Sequence, residues 1–237
     1  DEFAPLWREM TIARSVTFGL GAKADFTARD IVTAVGEAGF VTRFTLHSPA
    51  GTAAITLNLA GKHNVVNALG AAAAAVAAGA SLDDVAAGLA AMRPVAGRLQ
   101  WRAARGGGWL IDDSYNANPS SMHAAIDVLE SVGGRRCLVM GDMGELGSHA
   151  DEAHREAGRY ARLHGVERLF AIGSLTPLAV RSFGDGASWH ADMNDLIAAV
   201  GAELTADSRV LVKGSRLNRL ERLVEALAAA PAEGRSH

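Results

Sequence analysis

A single cysteine, Cys137, stands in 237 residues. One thiol forms no internal disulfide and no cysteine-based zinc site, and such sparse usage fits a reducing cytoplasm. No apolar run is long enough to cross a bilayer: the longest, Ala68 to Ala80, is mostly alanine and falls short of the ~20 residues required. No signal peptide is visible at the amino end, and the first residue is not Met, which points to a chain beginning inside a larger protein. Neither charge dominates. With 23 Lys and Arg against 26 Asp and Glu the net charge is −3, which gives no electrostatic reason to bind nucleic acid. Two catalytic signatures are missing as well: a Gly-x4-Gly-Lys-Ser/Thr phosphate loop and a Gly-x-Ser-x-Gly elbow. What is present is globular, at 49% hydrophobic and 21% charged residues, and excludes a disordered chain.

The first ninety residues differ in pattern from the rest. Phe40, Thr42, Phe44 and Leu46 alternate with Val41, Arg43, Thr45 and His47, the period of a half-buried strand. After the turn residues Pro49-Ala50-Gly51, Ala53, Ile55, Leu57 and Leu59 alternate again, so the pair predicts an antiparallel hairpin. Lys62 to Gly79 is alanine-rich and predicts a helix closed by Gly79. Ser81-Leu82-Asp83-Asp84 opens a second helix with a Ser cap and an acid three residues on, running to about Met92, where Arg93-Pro94 stops it. With no further sheet in the sequence to cover them, Phe40, Phe44, Leu57 and Leu59 are expected to be partly exposed.

Val95-Ala96-Gly97-Arg98 reads as a linker, and beyond it strands and helices alternate. Strands are predicted at Trp109–Asp112, Arg136–Met140, Arg168–Ile172 and Arg209–Lys213. Helices are predicted at Pro119–Ser131, Ala150–His164, Thr176–Phe183, Asp192–Leu204 and Leu217–Ala229. The strands are short continuous apolar runs, as a parallel sheet buried on both faces requires. The fold class is therefore α/β: a Rossmann-like doubly wound carboxyl-terminal domain preceded by a hairpin and helices.

The richest stretch is Asp112-Asp113-Ser114-Tyr115-Asn116-Ala117-Asn118-Pro119, where a strand ends and a helix begins, at the sheet edge where open α/β folds bind ligands. Helix initiation accounts for Asn118 and Pro119 alone. It leaves two carboxylates, a Tyr and another Asn, so a site is the better reading, with one of Asp112 and Asp113 facing ligand and the other supporting the loop. Asn64 and Asn67 lie three apart at a helix start and offer amides that complement an adenine edge; capping is the plainer alternative. Gly141-Asp142-Met143-Gly144-Glu145-Leu146-Gly147 follows a strand but lacks dinucleotide spacing, and its acids repel phosphate, so it reads as part of a pocket wall. Lys213-Gly214-Ser215-Arg216 ends the last strand and suits a carboxylate or phosphate, with a solvated loop as the alternative. Cys137 reads as a small core residue. The five-residue step from His149 to His154 argues against a metal pair.

Together, His63-Asn64-x-x-Asn67-Ala68, Gly97-Arg98, the Asp112–Pro119 tract, Gly141-Asp142-Met143-x-Glu145-Leu146-Gly147 and Lys213-Gly214-Ser215-Arg216 resemble the Mur ligase family, in order and spacing, from about residue 10 to 229. The resemblance implies residues 1–96 as the end of a central ATP-binding domain and 97–237 as an acceptor-binding domain. The family's amino-terminal domain, phosphate loop and Mg²⁺ ligands would belong to a part of the same enzyme preceding this sequence. The Ser114–Pro119 and Gly141–Gly147 runs point to the branch that joins D-alanyl-D-alanine to UDP-N-acetylmuramoyl-tripeptide with ATP, in cytoplasmic cell-wall precursor synthesis. By the same resemblance, Asn64, Asn67, Arg98, Asp113, Tyr115 and Asn116 form the nucleotide set. Asn67 would meet adenine, Arg98 the phosphates from a mobile linker, and Asp113 the ribose. Asn118, Ser174, Lys213, Ser215 and Arg216 form the acceptor set, and Arg98 and Lys213 are the charges expected to act in the reaction. A folate polyglutamating ligase and a stand-alone binding module are the rival readings, and the Ser114–Pro119 tract argues against the first.

Overall fold

The computed structural model describes residues 3–21, 23–36 and 39–230. They divide into two compact units. One comprises residues 1–33, 42–58 and 62–92, and the other residues 34–41, 59–61 and 93–237.

The first unit begins with a short helix, α1 (Ala4–Glu9), that buries none of its side chains. Strands β1 (Thr27–Gly36), β2 (Gly39–Ser48) and β3 (Gly51–Leu57) form a three-stranded sheet in that order. β2 and β3 are antiparallel, with Phe44 opposite Ile55 and Thr42 opposite Leu57. The alternation read from the sequence is the alternation of burial: Phe44 and Leu46 are buried while Arg43 is exposed. Helix α2 (Lys62–Ala77) follows, and Gly79 closes it at φ +98°. Helix α3 (Leu82–Ala91) starts on a complete capping box: Ser81 Oγ accepts from Asp84 N at 3.1 Å and Asp84 accepts from Ser81 N at 3.1 Å.

The expected exposure of Phe40, Phe44 and Leu57 is corrected by the structure. They are 5%, 3% and 0% exposed, and Leu59 alone is half-buried. Helix α3 packs on β3, with Leu82 over Gly51, while Phe40, at the start of β2 among the residues that belong to the second unit, meets Trp101 of that unit edge-on at 5.2 Å. Exposed large apolar side chains in the first residues of the chain are Phe3, Leu6, Trp7, Met10, Ile12, Phe18 and Leu20. β1 escapes sequence detection because beyond Thr27 and Ala28 it is mostly exposed, and Asp30 takes a left-handed conformation within it.

The second unit is a six-stranded sheet. Its strands are β4 (Gln100–Ala103), β5 (Trp109–Asp113), β6 (Arg135–Gly141), β7 (Arg168–Ile172), β8 (Ala187–His190) and β9 (Ser208–Lys213). Their order is β4-β5-β9-β6-β7-β8; β4 is antiparallel to β5 and all other pairs are parallel. Helices α4 (Pro119–Ser131), α5 (Ala150–Leu163) and α6 (Thr176–Phe183) bury Met122, Ile126, Ala157 and Phe183 with Ile111, Leu138, Met140 and Leu211. Helices α7 (Met193–Glu203) and α8 (Glu221–Leu227) bury Leu196, Val200, Leu223 and Val224 with Leu110, Cys137, Val139, Val210 and Val212. Successive residues of one strand thus enter two different cores, which is why the central strands carry unbroken apolar segments, such as Cys137–Met140 and Val210–Val212, between polar ends.

Two differences from the sequence reading concern elements. β4 and β8 are four-residue edge strands with half-buried or exposed side chains, too short and mixed to show a period. The helix expected at Leu217–Ala229 is split: Arg216–Asn218 is a 3-10 turn, Arg219 is left-handed at φ 50°, and α8 then runs only from Glu221 to Leu227. The break rotates Leu220, which has no exposed surface, into the core. No helix among the described residues is long and apolar enough to cross a membrane.

Candidate functional site

The carboxyl ends of β5, β6, β7 and β9 carry the residues singled out in the sequence. β5 ends in Asp112 and Asp113, and the two carboxylates do different work. Asp112 is buried and accepts from Ser114 N at 3.2 Å and Ser114 Oγ at 2.6 Å, which folds the chain back at the strand end. Asp113 accepts from Leu99 N at 3.2 Å and from Lys213 Nζ at 2.5 Å. Parallel pairing puts Asp113 opposite Lys213, so the β5–β9 register makes this contact across one hundred residues of sequence. The Lys213 side chain is 3% exposed and also donates to the Asn116 carbonyl at 2.9 Å. It therefore braces the loop from within.

The loop is fastened at its other end by α4. Asn118 caps the helix, accepting from Ser121 N at 2.8 Å, while its own N–H donates to Ser121 Oγ at 3.0 Å; Pro119 fixes the first turn. Tyr115 N donates to Gly97 O at 3.1 Å, and the Arg98 guanidinium lies 4.6 Å from the Tyr115 ring centroid. Gly97 is at φ +69°, and a Cβ there would stand 3.0 Å from Tyr115 N, so glycine is required twice over. Leu99 is also left-handed, at φ 50°. Arg98 therefore sits between two residues tied to the β5 end, and the pivot expected around it is held on both sides by hydrogen bonds.

The end of β6 holds a carboxylate that sequence reading assigned only to a pocket wall. Asp142 accepts from Ser174 N (2.8 Å), Ser174 Oγ (3.1 Å), Leu175 N (2.9 Å) and Thr176 N (3.1 Å), and so caps α6 from another element. Gly173 is at φ +127°, and any Cβ on it would collide with Asp142 Oδ1. Ser215 is buried, donating its N–H to Asp142 O at 2.8 Å and its hydroxyl to Asn218 Oδ1 at 3.2 Å. A Cβ on Gly214 would stand 2.8 Å from Gly141 Cα, and one on Gly141 would run into the Asn218 side chain, so both positions leave no room for a side chain.

The structure therefore gathers Arg98, Asp113, Tyr115, Asn116, Asn118, Ser174, Lys213, Ser215 and Arg216 on one edge of the second unit. Arg98, Tyr115, Asn116, Asn118, Ser174 and Arg216 are exposed there; Lys213 and Ser215 are buried. Asn64 and Asn67 lie in the first unit on the opening turns of α2. Asn64 is half-buried with its amide 3.1 Å from His63 Nε2, and Asn67 is exposed. Reading missed the roles of Asp142 and Gly173, whose signal was the glycine-acid pair after a strand. It also missed His154, which is wholly buried and carries no periodic signal distinguishing it from a surface histidine of a charged helix.

Residues 1–75 match the Mur ligase middle domain, and residues 97–216 match the Mur ligase glutamate ligase domain. The chain belongs to the Mur ligase family. It is 41% identical over 210 residues to the UDP-N-acetylmuramoyl-tripeptide–D-alanyl-D-alanine ligase of Escherichia coli, covering 87% of this chain and 45% of that protein. Among solved structures, MurF of Acinetobacter baumannii superposes with a TM-score of 0.81 at 31% identity, over 95% of this chain and 50% of the other. MurF of Thermotoga maritima in complex with ADP has the same fold, with a TM-score of 0.77 at 22% identity, over 94% of this chain and 51% of that one. The chain spans about half the length of the curated relatives it matches. In this Mur ligase chain, glycines and carboxylates hold the sheet edge in shape.

Proposed function

We propose that this sequence supplies the acceptor half of an ATP-dependent ligase that joins D-alanyl-D-alanine to UDP-N-acetylmuramoyl-tripeptide. Residues 1–96 would close the ATP-binding domain and 97–237 would form the acceptor domain. The observation that carries the reading is the cluster of Arg98, Asp113 and Tyr115, fastened at the sheet edge of a chain 41% identical to the E. coli ligase. In this reading Arg98 faces the nucleotide phosphates, Asp113 the ribose and Asn67 the adenine, with Asn64, Tyr115 and Asn116 completing the nucleotide set. Asn118, Ser174 and Arg216 offer exposed polar groups to the dipeptide, while Lys213 and Ser215 hold the edge on which they stand.

The chemistry requires the tripeptide carboxylate oxygen to take the γ-phosphoryl group of ATP with ADP leaving, and the dipeptide amine then to attack the acyl carbon, giving the amide as phosphate and the amine proton leave. Such a transfer is accelerated by positioning and by charge placed against the phosphoryl oxygens, and Arg98 is the exposed cation suited to it. Mg²⁺ does not fit this edge: Asp112 already accepts from Ser114 of its own loop, and Asp142 from Ser174 and Leu175 ahead of α6. We place its ligands, with the phosphate loop, in the half that this chain does not span. The test is phosphate release by the full-length ligase containing this sequence. Release that needs ATP, UDP-N-acetylmuramoyl-tripeptide and D-alanyl-D-alanine together is expected; release with a folate and glutamate instead would overturn the reading.

A further inference from the structure

The side chain of His154 has no exposed surface, lies on α5, and touches none of the groups assigned above to ligand. Both its ring nitrogens are engaged. Met143 N donates to Nε2 at 3.0 Å, and an amide N–H can only donate, so Nε2 accepts and Nδ1 carries the proton. Nδ1 is 2.6 Å from Ala150 O and donates to it. The ring is fixed in one neutral tautomer by two backbone groups, one on its own helix and one on the loop after β6.

Met143 follows Asp142, whose carboxylate holds Ser174, Leu175 and Thr176. Asp142 Oδ1 lies 3.9 Å from His154 Nε2. Met143 is itself 2% exposed, so without the imidazole its N–H would be buried with no acceptor here. The backbone turn from Asp142 to Met143 would then be free to reorient, and the carboxylate would lose its aim at the α6 turn.

We propose that His154 is a positioning residue. It holds Met143 N–H and thereby fixes the Asp142 carboxylate onto the Ser174–Thr176 turn, so that the β6 and β7 ends keep the shape on which acceptor binding depends. The link to acceptor binding rests on the function proposed above; the link to loop order does not.

Two measurements on His154→Leu and His154→Gln separate these. In this chain, amide exchange at Met143, Ser174, Leu175 and Thr176 is expected to speed up at least tenfold in the Leu variant. The Gln variant, whose side-chain oxygen can stand where Nε2 stood, is expected to stay within threefold of wild type. In the full-length ligase, the Leu variant is expected to raise the KM for D-alanyl-D-alanine at least tenfold and the KM for ATP less than twofold, with Gln restoring most of the loss. Unchanged exchange in a folded Leu variant would overturn the proposal, as would equal losses for both substrates or failure of Gln to rescue. If the Leu variant does not fold, fast exchange at Met143 in the Gln variant overturns the proposal and retained protection supports it. Absence of any dipeptide turnover in the wild-type ligase would count against the function instead, and the exchange result would still decide the role of His154.

Discussion

At the scale of residues, the sheet edge depends on a buried ion pair whose members are one hundred positions apart. Removing either partner of such a pair leaves an uncompensated charge in a poorly solvated place, a loss of about 3–5 kcal/mol, whereas the intact pair adds little over an apolar replacement. Lys213 is 3% exposed and Asp113 13%, so solvent relieves little of this. Lys213→Met and Asp113→Asn should each lower the unfolding free energy by that order in urea titrations, and the double variant should lose much less than the sum. Additive losses would show that the two groups are energetically independent. Arg98 makes a different prediction. Its guanidinium lies over the Tyr115 ring, 4.6 Å from the centroid, and its planar fork of donors is something an ammonium does not reproduce. Arg98→Lys in the full-length ligase should lower kcat at least tenfold while leaving the melting temperature of this half within a few degrees. Normal turnover would make Arg98 a structural residue of the turn.

At the scale of elements, helix starts and strand starts carry separable loads. Asn118 and Ser121 exchange hydrogen bonds at the start of α4. Asn118→Ala should destabilise this chain by about 1 kcal/mol, while Asn118→Ser should restore most of it, read by denaturant unfolding. At the opposite edge of the sheet, Arg135 and Arg168 open β6 and β7 and both grip Glu203 at the end of α7. Partial burial opposes ionisation of that carboxyl, but hydrogen bonds from Arg168 and Arg135 outweigh it and hold the group below the ordinary value of 4.5. A depressed folded value contributes stability above the unfolded value, and that contribution disappears as pH falls through the folded one. Glu203→Gln should therefore be less stable than wild type at pH 7, and the gap should close as pH drops below 4.5. Thermal unfolding of both proteins from pH 7 to pH 3 measures it; a constant gap would assign the loss to packing alone.

At the scale of the whole molecule, this chain has the sheet edge proposed above for the acceptor but no phosphate-loop motif in its sequence. Positioning of the β and γ phosphates supplies most of the acceleration in phosphoryl transfer. The purified 237-residue chain should accordingly release no phosphate from ATP with UDP-N-acetylmuramoyl-tripeptide and D-alanyl-D-alanine. Turnover near that of an intact ligase would require a phosphate grip that none of the residues named above provides.

Local chemistry made much of this legible in the sequence. Apolar runs gave the buried strands β5, β6, β7 and β9, because the segment of a strand that faces two cores must be apolar on both sides. Ser81 with Asp84 and Asn118 with Pro119 marked helix starts because caps act within three residues of themselves. The two short edge strands, the break at Arg219 and the burial of Phe40 and Phe44 were not legible, since each depends on what packs against the element. The site divides the same way. The Asp112–Pro119 tract announced itself as too polar for a simple helix start. What each carboxylate holds was decided by strand register, which sets Lys213 beside Asp113 and leaves Asp112 to Ser114. Asp142 and His154 became intelligible only in three dimensions, because the N–H groups that they hold lie on other elements, and hydrogen-bond partners distant in sequence are chosen by the fold.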